Sequence, residues 1–168
     1  MRLNYISKRK YVIGQAALGG KIAYILQVGD PGYEIGTQHG LVATVADTSA
    51  GAEWGCKGTL ITGANDTTIG TGNQNTIDIM TGCATAGIAA RLCGDLSEGG
   101  YTDWYLPSKD ELVKLFQNQN LIGGFTVGDY YWSSSQNDSN TAWEQNFRGG
   151  LHEADKESPF RVRAIRSF

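Results

Sequence analysis

Apolar and polar side chains alternate along two stretches near the C-terminus, 130–134 and 141–147. This period of two predicts two half-buried strands, because successive side chains of a strand point to opposite faces of its sheet. On that pattern Trp132, Trp143 and Phe147 are expected to fill the core. The neighbours expected on the outer face are Tyr131, Ser133, Glu144, Asn146 and Arg148.

Three further apolar runs, 21–28, 40–47 and 161–168, are rich in β-branched or aromatic residues and also predict strands. The segment 48–75 is dominated by Gly, Thr, Ser, Asn and Asp, which predicts mostly loop with Trp54 as a core anchor. Turns made by glycine are expected throughout, since the chain holds 23 Gly against 3 Pro.

Helical spacing replaces the strand pattern in the middle of the chain. Apolar residues in 76–96 follow two adjacent helical stripes, which predicts one helix with a broad buried face. Ser108 followed three residues later by Glu111 is a capping box ahead of Leu112, and it predicts a second helix ending near Asn118. Two helices followed by a cluster of strands indicate an α+β fold.

Length and charge narrow the class of protein. The 168 residues with 40% hydrophobic content suit one domain, expected over 11–168 after a short solvated leader at 1–10. The leader and the apolar stretch after it imitate a secretory signal, but Gln15, two glycines and Lys21 interrupt the apolar part, so no signal peptide is assigned. A formal charge of −3 argues against nucleic acid as a partner, and no apolar run is long enough for membrane insertion.

The three cysteines do not have metal-site spacing. Cys83 and Cys93 are expected in one helix about 15 Å apart, too far to pair with each other. Cys56 is then expected either to bridge to one of them or to join them as a third buried thiol.

Other candidate chemistry has plainer structural explanations. Gln136–Asn140 offers oxygen ligands for calcium, but polar turn residues explain that cluster better. Ser133–Ser135 lacks the sequence context of a nucleophile. Asp110 and Glu111 suit the first turn of a helix, and the arginines of 161–166 suit the polar edge of a strand. We therefore expect a protein that is not an enzyme, with no catalytic residue, metal or cofactor.

Several longer phrases resemble one family across nearly the whole chain. They are Trp54-Gly-Cys56, Asp103-Trp-Tyr-Leu-Pro-Ser-Lys-Asp-Glu-Leu112, Tyr131-Trp-Ser-Ser-Ser135, Ala142-Trp-x-Gln-Asn-Phe147 and Val162-Arg-Ala-Ile-Arg-Ser-Phe168. The chain resembles the Lcl C-terminal domain family. That resemblance implies a C-type-lectin-like fold, with two helices packed on a small, mostly antiparallel sheet system. Many members are variable proteins of diversity-generating retroelements, in which a reverse transcriptase miscopies template adenines and so rewrites Asn codons.

The resemblance implies a ligand-binding region at about 130–160, displayed on a virion tail or a cell surface. The expected partner is a protein or glycan receptor on a host or neighbouring cell. Candidate ligand-binding residues are Tyr131, Ser133, Gln136, Asp138, Asn140, Thr141, Glu144, Asn146, Arg148, Leu151, His152, Ala154, Asp155, Ser158 and Phe160.

The genetic code separates the residues of this region into those that an Asn codon can become by changes at adenine and those that it cannot. Changing the adenines of an Asn codon reaches Asp, Ser, Thr, His, Leu, Ala, Phe and Arg, but not the residues at Gln136, Glu144, Glu153, Lys156 and Glu157. A surface adhesin or glycan-binding lectin-like domain that is never diversified is the alternative. A third hypothesis, an enzyme related to the formylglycine-generating oxidases, ranks lower. That resemblance would require a reactive pair of cysteines late in the domain, and no cysteine follows Cys93.

Overall fold

The structure, a computed structural model, describes residues 10–168, so the leader predicted at 1–10 lies outside the described residues except for Lys10. The strands are β1 (Ala16–Ala17), β2 (Gly20–Ile25), β3 (Gly40–Ala43), β4 (Ser49–Ala52), β5 (Tyr130–Gln136), β6 (Thr141–Asn146), β7 (Leu151–Asp155), β8 (Phe160–Val162) and β9 (Ile165–Ser167). The helices are α1 (Gly72–Gly82), α2 (Ala89–Gly94), α3 (Lys109–Gln117) and α4 (Gln119–Ile122). Along 10–168 no helix has the length and apolarity that crossing a membrane requires. The α+β class is confirmed.

Nine strands form two sheets. A four-stranded antiparallel sheet has the order β1-β2-β3-β9, so the last strand of the described chain pairs with β3 and the first strand lies at the opposite edge. A five-stranded sheet has the order β4-β8-β5-β6-β7, in which only the β5–β8 contact is parallel. The second sheet contains most of the predicted ligand-binding region.

The run 161–168 was predicted as one strand but is split between the two sheets, with β8 in one and β9 in the other. The break falls at Arg163, whose side chain is buried. Its guanidinium donates to the Thr44 carbonyl (2.9 Å) and to Asp47 Oδ1 (2.9 Å from Nε). Arg166 forms two hydrogen bonds with the Asp103 carboxylate. The interpretation of these arginines as a polar strand edge was therefore wrong, because carboxylates and carbonyls draw two of them into the interior.

Helix α3 begins where the capping box places it. Ser108 Oγ accepts from the backbone N–H of Glu111, and the Glu111 carboxylate accepts from the backbone N–H of Ser108. This reciprocal pair satisfies two backbone donors at the buried start of the helix. The predicted second helix is confirmed, and Leu112 and Leu115 pack in the core.

The single helix predicted over 76–96 was wrong. Helix α1 ends at Gly82, Cys83 turns to extended backbone, and α2 begins only at Ala89. The Cys56–Cys83 disulfide and Gly87, with φ of 74°, occupy the break. Of the alternatives left open for the cysteines, the structure has one bridge, and Cys93 is a buried free thiol.

Two hydrophobic clusters lie on opposite faces of the five-stranded sheet. The first includes Trp54, Trp104 and Trp132, and the second includes Tyr131 and Phe147. The core positions predicted for Trp54, Trp132 and Phe147 are confirmed. Trp143 is only half-buried, and the Lys109 ammonium lies 3.7 Å from its ring centroid.

Candidate functional site

Strand register decides which side chains share a face of the five-stranded sheet. Trp132 pairs with Glu144, Glu144 pairs with His152, and Tyr130 pairs with Asn146. Side chains of directly paired residues project to the same face. The ring of Phe160 contacts those of Tyr130 and Trp132, so it lies on this face too. We call the surface formed by Tyr130, Trp132, Glu144, Asn146, His152 and Phe160 the Tyr130 face.

An exposed aromatic pair forms one side of the Tyr130 face. The Tyr130 and Phe160 rings stack with centroids 5.0 Å apart and an interplanar angle of 27°. Tyr130 is 42% exposed, whereas Trp132 beneath Phe160 is buried and donates its indole N–H to the Ala52 carbonyl (2.9 Å). Beside the pair opens a cleft of about 270 Å³, lined by Ala50, Asp129, Tyr130, Pro159, Phe160 and Arg161.

Ion pairs hold the polar wall of this cleft. Arg161 Nε lies 2.5 Å from Asp129 Oδ2, and its Nη1 lies 3.0 Å from Asp47 Oδ2. The Asp47 carboxylate also contacts Arg163 (2.7 Å) and accepts from the Tyr131 hydroxyl (2.9 Å). The hydrogen bond to Asp129 raises the pKa of Arg161 above its ordinary value, so the guanidinium stays charged. The two arginines and two carboxylates make this wall rigid and close to neutral.

A carboxyl–imidazole pair occupies the other side of the Tyr130 face. Glu144 is 2% exposed, and its Oε1 lies 2.9 Å from Nδ1 of His152, whose side chain is 56% exposed. Burial raises the pKa of Glu144 to about 7, and the contact with His152 opposes part of that rise.

Four of the predicted ligand-facing residues are buried: Tyr131, Ser133, Gln136 and Glu144. Their predicted outward position was wrong, because helices and loops cover much of both faces of the sheet. The ring of Tyr131 packs in the second cluster, and the hydroxyl of Ser133 donates to the Trp143 carbonyl. The Gln136 carboxamide hydrogen-bonds the backbone of Ile61.

The turn between β5 and β6 carries Asp138, Asn140 and Thr141. Asp138 Oδ1 accepts from the backbone N–H groups of Asn140 and Thr141, each at 2.7 Å, as expected of polar turn residues. These hydrogen bonds lower the pKa of Asp138. Arg148 follows the other end of β6, about 20 Å away for a six-residue strand. The predicted residues therefore do not all converge on one patch.

Strand β7 and the turn after it carry the remaining predicted residues. Leu151 and Asp155 pair with Gln145 and Thr141, which places them on the face opposite the Tyr130 face. Asp155 also lies 2.6 Å from Lys57 Nζ. Ala154 packs against the first cluster, and Ser158 is half-buried in the turn before β8. Glu144, Asn146, His152 and Phe160 of the predicted set contribute to the Tyr130 face, while Ala154 projects to the same side of the sheet but packs against the first cluster.

The sequence reasoning missed Tyr130, Asp129 and Arg161. The alternation predicted that Tyr130 lies on the same buried face as Trp132. Tyr130 does share that face, but it lies near the end of the strand, where loops no longer cover the sheet, so it is exposed. Opposite charges at 129 and 161 were a signal available in the sequence, but only the parallel β5–β8 contact brings them together. Within residues 10–168 there is no cluster of three or more His, Cys, Asp or Glu side chains that could hold a metal ion.

Comparison with known proteins agrees with the resemblance. A solved fimbrial protein from Bacteroides ovatus ATCC 8483 superposes with a TM-score of 0.51 at 17% identity, over 76% of this chain. At that identity the likeness concerns the fold alone, and this chain spans 35% of that protein's chain. No curated protein sequence matches the chain. The sequence model of the Lcl C-terminal domain matches residues 43–166, about three quarters of the chain. The chain belongs to the Lcl C-terminal domain family.

Proposed function

We propose that this domain is a non-enzymatic recognition module of a surface-displayed protein, and that it binds a protein or glycan receptor through the Tyr130 face. In this proposal the helices and two sheets are a C-type-lectin-like scaffold, and no cofactor takes part in binding. The observation that carries the proposal is the Tyr130–Phe160 stack at the rim of an open cleft.

Aromatic pairs of this kind suit binding for a physical reason. A stacked tyrosine offers a large apolar surface with little side-chain entropy left to lose, and its hydroxyl adds a polar contact. Residues with these properties contribute a large share of binding energy at protein interfaces. The Arg161–Asp129 pair beside the stack is already ordered, so a ligand would meet a preformed polar wall.

We further propose that a retroelement diversifies this surface. Burial and codon chemistry agree at three of the five positions that an Asn codon cannot reach, and the other two, Glu153 and Glu157, are exposed. Gln136, Glu144 and Lys156 are buried, and none of them can arise from an Asn codon by changes at adenine. His152 and Arg148 are exposed, and both can arise in that way.

The flanking DNA tests diversification directly. We expect a nearby reverse transcriptase gene and a near-copy of the 3′ coding end that differs at adenines. The predicted differences fall on exposed codons such as those of Arg148 and His152. Differences concentrated at buried codons, or the absence of a template copy, would contradict this part of the proposal.

A fixed adhesin is the second candidate. A solved structure that shares this fold is described as a fimbrial protein. The same genomic observation separates the two candidates, because a fixed adhesin requires neither a template copy nor a reverse transcriptase.

Binding itself is tested by screening the multimerised domain on a glycan array and on a panel of purified extracellular protein domains. Tyr130→Ala and Phe160→Ala are each expected to weaken any specific binding at least tenfold, because a central aromatic anchor contributes about 2 kcal/mol or more. Tyr33→Ala is the matched control, since Tyr33 is another exposed aromatic and lies outside the Tyr130 face. Equal losses in all three variants would contradict the assigned surface.

A further inference from the structure

We propose that Glu144 and His152 form a recessed acceptor subsite within the Tyr130 face, and that this subsite takes the cationic side chain of a lysine or arginine from a protein ligand. The inference rests on the proposed ligand-binding role of that face. It adds the chemical class of the ligand group and the side chain that receives it.

The first argument is an unsatisfied carboxyl oxygen. Glu144 Oε1 contacts His152 Nδ1 at 2.9 Å, but Oε2 is buried and has no hydrogen-bond partner within the described part of the chain. A buried polar atom without a partner destabilises the folded state, because it has lost its hydrogen bonds to water. An incoming donor that reached Oε2 would relieve that destabilisation, so Glu144 favours a ligand group that donates hydrogen bonds.

The second argument is location. Glu144 lies on β6 between Trp132 of β5 and His152 of β7. The His152 imidazole contacts Oε1 of the carboxyl group and is itself 56% exposed, so it lies between that oxygen and solvent. Rotation of His152 would uncover the carboxyl group without any change in the strands.

The third argument is charge. Between residues 130 and 160 there are five acidic and two basic side chains, an excess of three acids. One of the two bases, Lys156, is buried, and outside this segment Lys57 pairs with Asp155 and Glu157. Of these acids only Glu144 lies on the Tyr130 face, because Glu153 and Asp155 pair with Trp143 and Thr141 on the opposite face, and Asp138 and Glu157 lie in turns. The attraction for a cationic ligand group therefore comes from the Glu144 carboxyl group itself, beside a cleft wall whose charges are already paired.

The carboxyl group itself would respond to a cation. Burial raises the pKa of Glu144 to about 7, so near neutral pH the group is partly protonated. An ammonium or guanidinium group placed against Oε2 favours the ionised form and lowers that pKa. The aliphatic stem of the same side chain would pack on the ring of Phe160, which contacts Trp132 and stacks with Tyr130 on this face.

NMR titration with small probes tests this subsite. The probes are Nα-acetyl-lysine N-methylamide, its neutral norleucine counterpart, and methyl β-galactoside. The lysine probe is expected to shift the signals of the Trp132 indole N–H and the His152 imidazole, with at least tenfold higher affinity than the norleucine probe. Glu144→Gln should reduce the lysine affinity to that of norleucine. Glu153→Gln, a matched change at a neighbouring exposed position of β7, should leave it unchanged.

The variant His152→Ala provides a second test of the subsite. Removing the cover is expected to raise the lysine affinity several-fold, while a loss of affinity would contradict the role of His152 as a cover. No lysine-specific shift, or a lysine shift that survives Glu144→Gln, would overturn the cationic subsite. Shifts produced by the galactoside instead would assign the same acceptor to sugar hydroxyls and would also overturn it.

Failure of the subsite can be told apart from failure of the proposed function. If Tyr130→Ala abolishes binding on the arrays while Glu144→Gln does not, the result supports the ligand-binding face and contradicts the cationic subsite. If neither variant changes the array binding, the ligand-binding face itself is wrong.

Discussion

Removing the Cys56–Cys83 disulfide is expected to lower the stability of the domain substantially. The bond joins residues 27 positions apart. In the chain-entropy treatment, a closed loop of that length destabilises the unfolded state by about 3.5 kcal/mol at 25 °C. For a domain of this size, a change of that magnitude corresponds to a fall of about 10 °C in the unfolding midpoint.

The structure also indicates which region the loss of the disulfide would destabilise. Next to Cys56, the backbone N–H groups of Trp54 and Gly55 donate to the Lys156 carbonyl at 2.9 and 3.2 Å. The bridge therefore ties the end of α1 to the segment that supports the end of β7. We expect faster amide exchange in β7 as well as a lower midpoint in the variant without the bridge.

The measurement is differential scanning calorimetry of Cys56→Ser/Cys83→Ser against the parent protein, each with and without a reductant. The reductant should lower the parent midpoint to that of the double variant and leave the variant itself unchanged. Thiol titration of the denatured parent should find one free thiol before reduction and three after it. A double variant within about 2 °C of the parent would refute the entropic reasoning, and three free thiols before reduction would refute the bond.

Three further substitutions test the structure. Arg163→Ala should cost about 2 to 3 kcal/mol in chemical denaturation, because it removes buried hydrogen bonds to Asp47 and to the Thr44 carbonyl while Asp47 keeps its contact with Arg161. Arg148→Ala, at an exposed position, should change stability by less than about 0.5 kcal/mol. Ser108→Ala should cost about 1 kcal/mol by the same measurement, since it removes one half of the capping box, and no loss would contradict that role. Glu144 has a folded-state pKa of about 7, above its ordinary 4.5, so its contribution to stability is complete at low pH and is lost as pH rises through 7. Glu144→Gln should therefore match the parent below pH 4.5 and exceed it above pH 7 by at most about 3 kcal/mol, and an unchanged difference across that range would contradict the pKa.

Local sequence determined the elements whose signals are themselves local. Ser108 and Glu111 are three residues apart, and both partners of their capping interaction lie in the same turn, so the start of α3 could be predicted without knowledge of the fold. The alternation around Trp132 predicted β5 for the same reason. The period of two also correctly grouped the residues that share a face of that strand.

Tertiary structure decided which part of each face is covered. Alternation separates Tyr130 from Tyr131, but only the packing of the second cluster buries Tyr131 and leaves Tyr130 beside the cleft. Glu144 is buried because β5 and β7 place Trp132 and His152 on either side of it. These neighbours lie 12 and 8 residues away along the chain, on the two adjacent strands, so the alternation within β6 alone could not reveal them.

Long-range covalent and ionic contacts likewise overrode the local pattern at two places. The disulfide to Cys56 accompanies the end of α1 at Cys83, where helical periodicity alone predicted a continuous helix. The buried contact of Arg163 with Asp47 lies at the break between β8 and β9, where alternation alone predicted one strand. The sequence by itself therefore determined the class of fold and the elements β2, β3, β5, β6 and α3. The unpredicted strands β1, β4 and β7, the covered faces and the breaks depended on partners that only the folded chain brings into contact.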